Sequence, residues 1–140
     1  QELQQYAQSL GLDGSRIVFA THCDDIPAAM LLADVVVSAS TEPEGFGRTI
    51  AEAAAMGKPV IATAHGAAPE VVASGETGWL VPPGKAGALA RALEQVFALS
   101  PRELADLATK AKYRASHLFS SQTMCDRTLE VYRELLSKTG

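Results

Sequence analysis

Val35-Val36-Val37-Ser38-Ala39-Ser40-Thr41-Glu42-Pro43-Glu44-Gly45-Phe46-Gly47-Arg48-Thr49-Ile50-Ala51-Glu52 is the stretch on which the fold turns. Its opening run is β-branched at every residue, the pattern of a strand buried on both faces. A polar loop carrying Pro43 and the glycines around Phe46 follows. From Arg48 to Met56 the sequence is Ala-rich and helical, and Gly57 ends it. Strand, loop and helix are thus written in succession.

The same alternation extends in both directions. Downstream, Pro59-Val60-Ile61-Ala62 reads as a second buried strand, with proline at the first position, where a missing N–H is tolerated. Pro69 starts a short helix over 70–73, and Gly75-Glu76-Thr77-Gly78 turns into a strand at Trp79-Leu80-Val81, closed by Pro82-Pro83-Gly84. Beyond Lys85 only helices are expected: about 86–99, then 101–117 with Ser100 as cap and Pro101 at the first helical position, then about 121–137. Upstream, residues 1–10 read as a helix stopped by Gly11, Arg16-Ile17-Val18-Phe19-Ala20 as a strand, and Asp24 or Asp25 as the cap of a helix reaching about Leu32 with Pro27 in its first turn. Short apolar strands alternating with helices predict an α/β, Rossmann-like parallel sheet with helices on both faces, followed by C-terminal helices. No linker composition interrupts residues 1–140, so a single domain is expected.

Bulk properties narrow the function. The chain has 140 residues, 47% of them hydrophobic and 20% charged, an ordinary globular balance. A net charge of -4 and the lack of a Lys/Arg run argue against nucleic acid as a partner. Cys23 and Cys125 match no metal spacing, and reduced thiols of a cytoplasmic protein are the expected state. The longest apolar run, Ile26 to Val37, is broken by Pro27 and Asp34 and is too short for a membrane span. The opening Gln1-Glu2-Leu3-Gln4-Gln5 is not leader-like, and without an initiator Met it reads as the interior of a longer protein.

In an open parallel sheet, ligands bind beyond the carboxyl ends of the strands, so the Ser38–Glu52 stretch is the first place to look. Gly45 and Gly47 let backbone approach a ligand and aim N–H groups at it, and the helix start behind them favours phosphate or sugar oxygens. Glu44 precedes those glycines. Glu52 lies on the second turn of the helix, where side chains lean back toward its N-terminus. Two acceptor carboxylates with donor amides between them suit a ligand with hydroxyls at both ends and a diphosphate in the middle, which describes a nucleotide sugar. The plainer alternative stays open at this point: Glu44 as a solvated loop acid, and Glu52 as the partner of Arg48 one turn earlier in a surface pair.

The run Glu-Gly-Phe-Gly-x4-Glu-Ala, then Gly-x-Pro-Val-Ile-Ala-Thr, Gly-x3-Glu-Val-Val and Gly75-Glu76-Thr77-Gly78-Trp79-Leu80-Val81-Pro82-Pro83-Gly84, resembles the retaining glycosyltransferase family 4, also called group 1. Val18-Phe19, Asp25-Ile26-Pro27 and Ala33-Asp34-Val35 resemble the family's approach to the same site. The resemblance implies the C-terminal, donor-binding half of a GT-B fold, with a hexose moved from a nucleotide sugar such as UDP- or GDP-hexose to a glycan, lipid or lipopolysaccharide-type acceptor, with retention. It implies that Glu44, Gly45, Phe46 and Gly47 meet the transferred sugar, that Glu52 holds the ribose, and that Thr21 and His22 lie near the base. Arg48, His65 and Glu70 would stand around these groups as supporting residues. No cofactor or metal is implied, and no Asp-x-Asp element for a metal–diphosphate clamp occurs in the chain.

The resemblance also implies partners beyond this sequence. The family's acceptor domain and the first strand–helix unit of the donor domain, which usually supplies an Arg and a Lys to the diphosphate, are expected to lie outside these residues. On that reading the chain alone is an inactive part of an enzyme, placed in the cytoplasm or at the inner face of the membrane, with any peripheral membrane association made through the missing domain. Ala20 and Ala67 stand where the family often has glycine, which narrows the room for backbone approach. Trp79 is expected in the sheet core. Met124, Leu129, Val131, Tyr132, Leu135 and Leu136 give the last helix a broad apolar face, which either covers the sheet or promotes self-association. The competing functions are a non-catalytic nucleotide-binding or interaction module and a GT-B epimerase or phosphorylase.

Overall fold

Three parallel strands in the order β1-β2-β3 form the centre of the molecule: β1 Val36–Ser38, β2 Val60–Thr63 and β3 Trp79–Val81. In this computed structural model, residues 2–20 and 22–138 are described. Val36 pairs with Val60 and Ile61 with Trp79, so the strands begin nearly level and their carboxyl ends share one edge. β2 is buried throughout because it is the middle strand with helices above and below. Val60 and Ala62 face one layer with Ile50, Ala53 and Val71, whereas Ile61 faces the other with Val81, Ala92 and Val96. That alternation along one strand is the physical content of a sheet covered on both faces.

The first layer holds α3 Arg48–Ala55 and α4 Ala68–Val71, and the second holds α5 Ala86–Phe97. Behind α3 runs α6 Pro101–Leu118, and small residues set their spacing: Ala54, Ala111 and Ala115 form a separate buried cluster. Gly57 ends α3 at φ 73°, and a Cβ there would press into the Lys112 side chain and Ala108. α6 starts as its sequence predicts, with a reciprocal capping box between Ser100 and Glu103. The Ser100 hydroxyl and amide bonds hold the Glu103 carboxyl below its usual range.

The expected elements fall within a residue or two of their places, with one exception. Asp25 caps α2 Ile26–Leu32 by accepting from Ala28 N–H at 2.9 Å. α1 Glu2–Ser9 is followed by Gly11 at φ 69°, and α7 spans Ser121–Lys138. Trp79 is half-buried and packs with the α5-side cluster. The predicted strand Arg16–Ala20 is absent: none of these residues enters the sheet, and Val18 is 81% exposed. β-propensity describes how a residue fits a paired surface, and among the described residues no strand pairs with this run. α7 contributes no buried residue, and its apolar side chains from Met124 to Leu136 stay exposed, so it does not cover the sheet.

Candidate functional site

The loops after β1 and β2 leave the same edge of the sheet and are fastened to each other. The carbonyl of Ser40 accepts from Thr63 Oγ1 at 2.8 Å and from His65 Nε2 at 2.9 Å. Further along the same loop, the Glu44 carbonyl accepts from Ala67 N–H at 3.1 Å. Gly66, at φ 55°, lies so close behind Glu44 that a Cβ would overlap its backbone. The β2–α4 segment thus grips the β1–α3 loop at two points, and a glycine allows the contact.

This grip places Glu44, Gly47 and His65 around one crevice together with Ser38, Ser40 and Thr63. Gly47 is the N-cap of α3 in the left-handed conformation, φ 70°, where a Cβ would crowd the Ile50 side chain. No side chain caps the helix. Among the described residues, the N–H groups of Gly45, Phe46, Gly47, Arg48 and Thr49 make no hydrogen bond within the chain. A row of free amides at a helix start, with the Glu44 carboxylate beside Gly47, offers donors and an acceptor together. Phe46 is half-exposed, and its ring meets Phe119 edge-on, centroids 5.8 Å apart. Phe119, the C-cap of α6, packs on the first-layer core and so props the turn from behind.

Glu52 does not line that crevice. It accepts from Arg48 at 3.1 Å at the surface, side chains 45% and 84% exposed, which is the helical pair the spacing allowed. Such a pair contributes about 0.5 kcal/mol or less and leaves Glu52 free to exchange partners. His22 is exposed and bonded to Asp24 at 2.8 Å in the loop before α2, and Thr21 lies outside the described residues. Glu70 is exposed on α4, and its carbonyl accepts from Arg114 at 2.6 Å.

Several residues here had no individual signal in the sequence. Arg114 of α6 donates to the carbonyls of both Glu70 and Val71, closing the end of α4 from far along the chain. Thr63 lies in a motif already quoted, but its hydroxyl bond to Ser40 depends on neighbouring strands being level. Lys85 lines a second cleft of about 240 Å³ on the α5 side of the same edge, with Ala39, Thr41, Thr63 and Val81. Among the described residues, no cluster of His, Cys, Asp or Glu has the form of a metal site, and no helix is long and apolar enough to cross a membrane.

The family model described as "Glycosyl transferases group 1" matches residues 1–116. The chain belongs to that family. Its fold is that of the C-terminal domain of GT-B enzymes. It is 35% identical over 118 residues to the MMP alpha-(1->4)-mannosyltransferase of Mycolicibacterium hassiacum, a match covering 84% of this chain and 28% of that protein. Anabaena HepE, solved with UDP and also with UDP-glucose, superposes with a TM-score of 0.87 for the UDP complex at 36% identity, covering 95% of this chain and 36% of that one. The C-terminal domain of the group 1 family protein LpcC from Francisella tularensis superposes with a TM-score of 0.72 at 31% identity, covering 86% of this chain and 62% of that one. The chain spans about a quarter of the length of the curated relatives it matches first.

Proposed function

We propose that this chain is the donor-binding part of a glycosyltransferase that moves a hexose from a UDP- or GDP-sugar to a glycan or lipid acceptor with retention. The observation that carries the reading is the row of unengaged amides from Gly45 to Thr49 beside the Glu44 carboxylate, at the carboxyl edge of a parallel sheet. Amides satisfy diphosphate oxygens without a cation, and a carboxylate accepts from vicinal sugar hydroxyls; the two together match the polarity of a sugar diphosphate. Glu52, on the next turn and half-exposed, serves the ribose hydroxyls by letting go of Arg48. His22 and Thr21 border the base.

Membership of the group 1 family supports transfer chemistry, and HepE, a relative seen with UDP-glucose, supports the ligand class. Catalysis draws on an acceptor-binding domain and on further cations for the leaving diphosphate, because electrostatic stabilisation of developing charge is usually the largest contribution to such a rate. The 140-residue chain by itself is therefore expected to bind donor without turnover. Binding is carried by amides and carboxylates, so EDTA is expected to leave it unchanged.

The test is an amide-resolved NMR titration with UDP, UDP-glucose, GDP-mannose and ADP-glucose. The expected result is saturable shifts concentrated at residues 44–52 with one base, lost in Glu52→Ala. Saturable shifts elsewhere, or none with any nucleotide, would return the chain to an interaction module. Robust sugar transfer by the chain alone would overturn the division of labour.

A further inference from the structure

We propose that His65 is a positioning residue for the sugar end of this site, acting through Ser40 to hold the Glu44 loop; the inference rests on the donor-site reading above. A carbonyl only accepts, so the 2.9 Å contact with Ser40 requires His65 Nε2 to carry the proton. In the neutral ring Nδ1 is then a bare acceptor, and it is buried without a hydrogen-bond partner. An unmet buried acceptor costs the fold stability. An aliphatic side chain would fill the same space without that cost, so what the imidazole adds is its bond to Ser40.

That bond complements the one from Thr63, which occupies the same carbonyl oxygen from β2. A carbonyl has two lone pairs, and filling both fixes the peptide plane as well as its distance. With Thr63 alone the loop is held at a point; with His65 it is held in orientation. The next grip lies at Glu44 itself, through Ala67 and Gly66, from the same β2–α4 segment. His65 therefore joins two anchors of one segment into a brace that sets where the Glu44 carboxylate stands relative to the Gly47 turn. Glu44 and His65 line the same crevice, yet the acceptor that would meet a sugar is Glu44.

The consequence is a selective one. A looser Glu44 loop weakens recognition of the hexose and leaves amide contacts to the diphosphate in place. The experiment compares the wild-type chain with His65→Ala and His65→Gln, whose side-chain amide reaches the same carbonyl. Imidazole nitrogen shifts are expected to show the Nε2–H form for His65. His65→Ala is expected to speed hydrogen exchange of the Ala67 amide, which donates to the Glu44 carbonyl, without changing β2. UDP-glucose affinity should fall by about threefold to tenfold, the effect of one hydrogen bond, while UDP affinity stays within about twofold. His65→Gln should restore the preference.

An Nδ1–H ring, unchanged exchange at the Ala67 amide in a folded His65→Ala chain, or equal losses for UDP and UDP-glucose would overturn the proposal. If His65→Ala does not fold, the tautomer and the His65→Gln preference decide. If the wild-type chain binds neither ligand, the donor-site reading fails and the sugar role with it. The tautomer and exchange measurements then judge the brace by themselves.

Discussion

Two loops are assigned to the same ligand, and they are held in different ways. The loop from Ser40 to Gly47 is fastened by Thr63, His65 and Ala67, residues far away in sequence. Among the described residues, the loop from His22 to Asp25 is held by its neighbours: His22 to Asp24, Cys23 Sγ to the Asp25 carbonyl, Ala28 N–H to Asp25. Long-range anchors freeze a loop before ligand arrives, which lowers the ordering cost of binding. Local hydrogen bonds shape a turn but do not place it against the sheet. The sugar and diphosphate end of the proposed site is thus preorganised by this chain, whereas its base end is only pre-shaped.

The strongest way to break that contrast is Gly66→Val. It puts a β-branched residue at φ 55° into space filled by the Glu44 backbone. A loss of about 3 kcal/mol or more is expected in chemical denaturation, with the Ala67 amide losing its exchange protection as the Glu44 loop is pushed away. Arg114→Met should cost about 1–3 kcal/mol, because the Glu70 and Val71 carbonyls lose their shared donor. A denaturation midpoint unchanged from wild type would show that the Arg114 bonds do not support the end of α4.

Glu103→Gln probes a purely local bond for contrast. Glu103 titrates below its usual 4.5 in the folded chain, so its contribution is present above that value and disappears as pH falls through the lowered one. The stability gap between wild type and Glu103→Gln should be small at pH 7 and close on acidification; a gap constant with pH would contradict it. The smallest effect is expected for Arg48→Ala, within about 0.5 kcal/mol, since it breaks only an exposed pair. A larger loss would show that Glu52 needs Arg48 to stay in place.

Much of this architecture was legible because the decisive signals are local. Val35-Val36-Val37, Asp25 before Ile26-Pro27, Ser100 with Glu103 and the positions of Gly11 and Gly57 each name an element or its end. Ile17-Val18-Phe19 carries the same apolar pattern as Val35-Val36-Val37, yet only the latter enters the sheet. The difference lies in the partner, which composition does not record. The candidate site was legible where glycine and helix start coincide, at Gly45 to Thr49. Its bracing was not, because Thr63, His65 and Arg114 act through contacts made only when strands and helices are in register. Glu52 had two readings in the sequence, and the free chain shows it beside Arg48.

The edge-on contact between Phe46 and Phe119 carries one last implication. The glycine turn leans on the residue that caps a long helix, so damage at that remote terminus is transmitted forward. Trimming the polypeptide just before Phe119, or fraying α6 with mild heat, should loosen the glycine turn well before the sheet melts. Fluorine labels on the phenylalanines would report the two events as separate transitions.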